Sequence, residues 1–214
     1  MKVRSLDDLT NAIDSESGWR KKEISDVYLT VLTTVKKQSF CSIMKASIPI
    51  YYSHWEGFLK NAAAFYLEYV SRQKLPYSKL QTNFITVCCK KVISEVAQTN
   101  KTIIQNQLID FLVYNLHERS KIPYKNMIET ESNLSSNVTK NIFETIGIQY
   151  DNFWVTKSFA IDNVLLRNRN MIAHGEKCEV NLEMCKDIHD LTIEIIDYAK
   201  TGIVNAAYLR KFQR

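Results

Sequence analysis

Apolar residues return every three or four positions along most of the chain, the spacing of helices that each bury one face. Leu6, Leu9, Ala12 and Ile13 outline a short amphipathic helix behind a capped start at Ser5-Leu6-Asp7-Asp8, and Ser15–Gly18 is expected to break it. A longer pattern begins near Trp19, runs through Val27, Val31, Leu32, Val35 and Ile43, and is expected to bend or stop at Pro49. It resumes through Tyr51, Trp55, Phe58, Leu59, Ala62, Phe65, Tyr66 and Tyr69 and closes by Pro76. Two further helices are predicted, from about Ser78 to Ala97 and from about Thr102 to Glu118. The polar stretch from Ser120 to Ser136 reads as an exposed loop between two halves of one domain.

Beyond that loop, a short helix around Val138–Ile146 is expected to stop at Gly147. A core-like helix over about 155–174 carries Phe159, Ala160, Val164, Leu165, Met171 and Ile172 and stops at Gly175. A last pair, Leu182–Lys200 and Ile203–Phe212, completes the chain. The pattern predicts one all-α domain over residues 1–214, with its N-terminal helices at about 5–75 and its C-terminal ones at about 182–212.

Composition narrows the function classes. Hydrophobic residues make up 45% of the 214 positions, enough for a substantial core and too many for a disordered chain. Glycine (5) and proline (3) are scarce, which argues against a hairpin-rich fold, a dinucleotide fold or a glycine-rich phosphate loop. The longest unbroken apolar stretch, Ala62–Leu67, is far short of the ~20 residues that cross a bilayer, so no membrane association is expected. Five cysteines, an odd number in a chain this long, read as reduced thiols in a cytoplasmic protein. The net charge of +5 allows an anionic partner without requiring one.

Chemistry concentrates at Leu165-Leu166-Arg167-Asn168-Arg169-Asn170-Met171-Ile172-Ala173-His174-Gly175. On a helix Asn170 and His174 are four apart and share a face, while the long side chain of Arg169 can reach round to the same end. Gly175 would end that helix and leave His174 in its last turn. Imidazole titrates near neutral pH, as general acid–base catalysis requires, and a guanidinium can clamp a phosphate as charge builds on it. Arginine plus histidine therefore suffices to cut RNA without a metal. One histidine does not readily serve as both acid and base, so two copies facing across a two-fold axis make an attractive arrangement.

Three blocks carry a family resemblance. Arg169-Asn170-Met171-Ile172-Ala173-His174 resembles the Arg-polar-x3-His signature of the HEPN superfamily (higher eukaryotes and prokaryotes nucleotide-binding domains). Trp19-Arg20-Lys21-Lys22-Glu23 and His54-Trp55-Glu56-Gly57-Phe58 resemble blocks of its bacterial MAE-type branch. The resemblance implies an all-α bundle of the HEPN type with extra N-terminal helices, a homodimer, and metal-independent endoribonuclease activity in toxin–antitoxin or anti-phage systems. Carried over, it makes Arg169 and His174 the catalytic pair and Asn170 the auxiliary polar residue. It leaves open a non-catalytic module that grips RNA or a partner protein such as an antitoxin.

Other residues are weighed beside these. Glu56 is expected to pair with Arg169 or Arg167 and hold it in place, although Trp55, Phe58, Leu59 and Ala62 around it read first as core. Arg167 and Lys177 add positive charge for an RNA backbone. His174, Cys178, Cys185 and His189 are four zinc-ligand types, but no tight Cys-x2-Cys turn accompanies them, so neither metal nor cofactor is expected.

Overall fold

The computed structural model describes residues 2–214. Helix α1 (Leu6–Thr33) begins with a full capping box: Ser5 Oγ accepts from the Asp8 amide at 3.0 Å, and the Asp8 carboxylate accepts from the Ser5 amide at 3.0 Å. It does not break at Ser15–Gly18. The buried face continues through Leu9, Ala12, Ile13, Ser17, Arg20, Ile24 and Val31. Two of those positions are polar, which is why an apolar count alone loses the period there.

The interruption comes later, over residues 34–39, where Thr34 caps back onto the carbonyls of Thr30 and Val31. Helix α2 (Phe40–Arg72) follows and contains Pro49 in its interior, so the proline does not divide the pattern as expected. Tyr51, Trp55, Phe58, Leu59, Ala62, Tyr66 and Leu67 of α2 are fully buried and form the centre of the core. Helices α1 and α2 pack against each other and against the last long helix, α8 (Leu182–Tyr208). The expected pair of C-terminal helices is this one helix. Its buried positions run 195, 196, 199, 203, 206 and 207, straight past Gly202.

Helices α3 (Thr82–Ala97) and α4 (Thr102–Tyr114) form a hairpin whose first arm packs on α5 (Ser136–Ile146). Gly147 ends α5 at φ 71°, a left-handed turn that glycine enters without a Cβ penalty.

The stretch between α4 and α5 is less exposed than its polarity suggests. Ile122, Ile128, Thr130 and Leu134 are buried, Ser71 Oγ donates to the Ile122 carbonyl, and the Ser120 amide donates to the Leu75 carbonyl. The charged residues Lys121, Lys125, Glu129 and Glu131 face outward between these anchors.

Then comes the rod that carries the motif: α6 (Asn152–Phe159), a π-helical turn (Ala160–Leu166) and α7 (Arg167–Ala173). Trp154, Ile161, Leu165 and Leu166 seat it, with Trp154 stacked on Trp55 at 5.8 Å and packed on Phe143 at 4.8 Å. The wider turn changes the phase of the helix, and Phe159, expected in the core, is 70% exposed. Asp162 within it accepts from the backbone amide (2.7 Å) and hydroxyl (2.5 Å) of Ser136, tying the rod to the start of α5.

Candidate active site

Helix α7 ends in a complete Schellman turn. The Gly175 amide donates to the Ile172 carbonyl at 3.2 Å and the Glu176 amide to the Met171 carbonyl at 2.8 Å, with Gly175 at φ 72°. His174 is the C-cap residue and is exposed. Its amide bonds the Asn170 carbonyl at 2.9 Å, so Asn170 and His174 share a face as the spacing predicts, and Arg167 lies one further turn along it.

Arg169 is half-buried and held on three sides. Its guanidinium carbon lies 4.4 Å from the ring centre of Tyr52, and Nη1 donates to Asn170 Oδ1 at 2.6 Å and to Asn133 Oδ1 at 3.3 Å. Tyr52 in turn accepts a 2.6 Å bond from the Leu134 amide, fixing the loop that brings in Asn133. Burial pushes the Tyr52 phenol above its ordinary value, opposed by the Leu134 amide and reinforced by the Glu56 carboxylate.

The motif residues Arg169, Asn170 and His174 thus cluster at one helix end. Glu56 is half-buried beside Tyr52 and makes no ion pair with Arg169 or Arg167 among the described residues. Arg167 is exposed, and Lys177 pairs loosely with Glu179 at 3.7 Å, both side chains fully solvated. Among the described residues no cluster of three or more metal-ligand types forms. Cys178 donates to Asn168 Oδ1, Cys185 contacts Ser47, and His189 stacks on Tyr28, so these three residues have separate neighbours.

Tyr52 and Asn133 escaped the sequence reading. Tyr52 sits on the apolar α2 pattern beside Tyr51, and Asn133 lies in a polar run; only the meeting of α2, the loop and α7 gives them a common purpose.

The two N-terminal blocks meet each other through Arg20, Trp19, Glu23, His54 and Gly57. Arg20 donates to Glu16 Oε2 from Nε at 3.1 Å and from Nη2 at 2.9 Å, and lies over the Trp19 ring. It covers Gly57 so closely that a Cβ there would stand 2.6 Å from Nη1. Trp19 packs edge-on to His54 at 5.4 Å, and His54 Nε2 lies 3.4 Å from Glu23.

Burial holds the His54 imidazole below its ordinary value, with Arg20 acting in the same direction and Glu23 opposing. A lowered folded-state value means the unfolded chain binds the extra proton more readily. Stability is therefore full above about pH 6.5 and declines as pH falls below it. Melting temperature should drop between pH 7 and pH 5 in the wild-type protein, and His54→Gln should flatten that slope; parallel slopes would exclude His54 as its source.

A family model described as MAE_28990/-like HEPN matches residues 9–212. Neither the curated proteins nor the solved structures give a match. With the family's all-α architecture and its Arg-polar-x3-His sequence at the end of the α6–α7 rod, the chain belongs to the HEPN superfamily, in this MAE-type branch.

Proposed function

We propose that this HEPN protein is a metal-independent endoribonuclease working as a homodimer, with the two α7 ends facing across the two-fold axis. One His174 takes the proton from a ribose 2′-hydroxyl as the 2′-oxygen attacks phosphorus. The other gives a proton to the leaving 5′-oxygen as the P–O5′ bond breaks, leaving 2′,3′-cyclic phosphate and 5′-hydroxyl ends. Arg169 stabilises the charge on the phosphorane, and Asn170 fixes Arg169 or contacts phosphate. Arg167 and Lys177 add charge along the RNA track, and Glu56 supports Arg169 indirectly, through Tyr52. The natural setting is a cytoplasmic toxin or anti-phage effector restrained by a partner such as an antitoxin.

The observation that carries this reading is the stacking and amide bonding of Arg169 beside an exposed helix-end histidine. A guanidinium immobilised in this way meets charge as it develops, without first reorganising.

A second reading is a module that binds RNA without cutting it. It draws on the His174 imidazole, to which no hydrogen-bond partner belongs among the described residues of the single chain. The test is incubation with total RNA in excess chelator, followed by end analysis. Discrete fragments with cyclic phosphate ends support the nuclease; retention of intact RNA supports the module.

A further inference from the structure

We infer that Asn133, from the loop before α5, completes with Arg169 and Asn170 an oxyanion cradle for a phosphodiester of single-stranded nucleic acid. The inference rests on the nuclease reading for its place in the reaction, but its geometry stands on donor accounting. A guanidinium has five N–H donors and no acceptor. Both Arg169 bonds leave from Nη1, one to Asn170 Oδ1 and one to Asn133 Oδ1, so that nitrogen's two hydrogens are taken. Among the described residues nothing accepts from Nε or Nη2. These form the edge that grips two oxygens of one phosphate in parallel. Tyr52 covers one face of the guanidinium and prevents it from rolling.

The two asparagines follow the same logic. Arginine can only donate, so each amide must turn its oxygen inward and its NH2 outward. Nothing among the described residues accepts from either Nδ2. The cradle thus presents one charged fork flanked by neutral donors, a set suited to an anion and without use for a cation.

The loop invests in this placement. Glu131 and Ser132, directly before Asn133, both adopt left-handed backbone at φ 53° and 60°, a region L side chains enter at a cost. The Leu134 amide on Tyr52 and Ser136 on Asp162 then pin the following residues. Asn133 itself is exposed, so its side chain has no packing role to explain the arrangement.

The test uses a fluorescent single-stranded oligodeoxyribonucleotide, which lacks the 2′-hydroxyl and is not cut, with affinity read by anisotropy. Asn133→Asp keeps an oxygen for Arg169 but replaces the outward donors with negative charge, and should weaken binding about tenfold or more. Ser132→Asp adds the same charge one residue away and should change affinity by about twofold at most. Melting temperatures of both variants should match the wild type. Equal weakening by the two variants, or none by Asn133→Asp, overturns the cradle. If Asn133→Asp alone loses the oligonucleotide while wild-type protein cuts no RNA, the cradle stands and the nuclease reading falls. If RNA is cut and Asn133→Asp binds and cuts normally, the reverse holds.

Discussion

His174→Ala should lower the single-turnover rate of RNA cleavage by about 10²–10⁴-fold, the range that general acid–base catalysis contributes. Arg169→Ala, made alone, should cost ~10²–10³-fold, because it removes the fixed charge that meets the phosphorane. The double variant should fall to background without reaching the product of the two losses, since groups acting on one transition state are not additive.

Stability separates this outcome from unfolding. His174 is exposed and ends a helix whose Schellman bonds are all backbone, so its removal should leave the melting temperature unchanged. Arg169→Lys is the sharper control. Lysine keeps the charge but has neither the planar fork nor the geometry to bond two amides while stacked on Tyr52, and activity should stay low. Full activity in the double variant would refute the assignment of both residues; full activity in Arg169→Lys would reduce Arg169 to a point charge.

What the sequence disclosed of this arrangement follows from where each residue's partners lie. The α2 stripe, the stops at Gly147 and Gly175 and the shared face of Asn170 and His174 depend on neighbours within one or two helical turns, and all are legible in the pattern. The breaks expected at Ser15–Gly18 and between Lys200 and Ile203 do not occur, because a glycine only weakens a helix and long-range packing on both sides carries α1 and α8 through. Phe159 lies outside the core that its spacing predicts because a π-turn leaves no mark in a three-and-four spacing. Tyr52 and Asn133 were invisible for a different reason: they serve a residue on another element, and a tyrosine among core aromatics or an asparagine in a loop has an ordinary explanation until those elements are brought together.

The same distinction predicts that the contact between the N-terminal blocks, Arg20 over Gly57, governs folding and not turnover. Arg20 is nine-tenths buried and supplies two bonds to Glu16, a face for Trp19 and the cover over Gly57. Arg20→Ala would leave Glu16 with Asn61 as its remaining donor, at 3.1 Å, and would open a void above Gly57. Removing one partner of a buried pair costs about 3–5 kcal/mol, and the partial exposure of Glu16 places the expectation at the lower end, about 3 kcal/mol. For a chain of this size that lowers the melting temperature by roughly 6–12 °C. Gly57→Ala should act in the same direction but less strongly. Its Cβ displaces the guanidinium, while alanine returns up to about 1 kcal/mol of helix propensity. Combined with Arg20→Ala, Gly57→Ala should become neutral or stabilising, because the group it collides with is gone. Cleavage per folded molecule, measured well below the melting temperature, should be unchanged in all three variants. A turnover defect without loss of stability would instead place Arg20 in the chemistry.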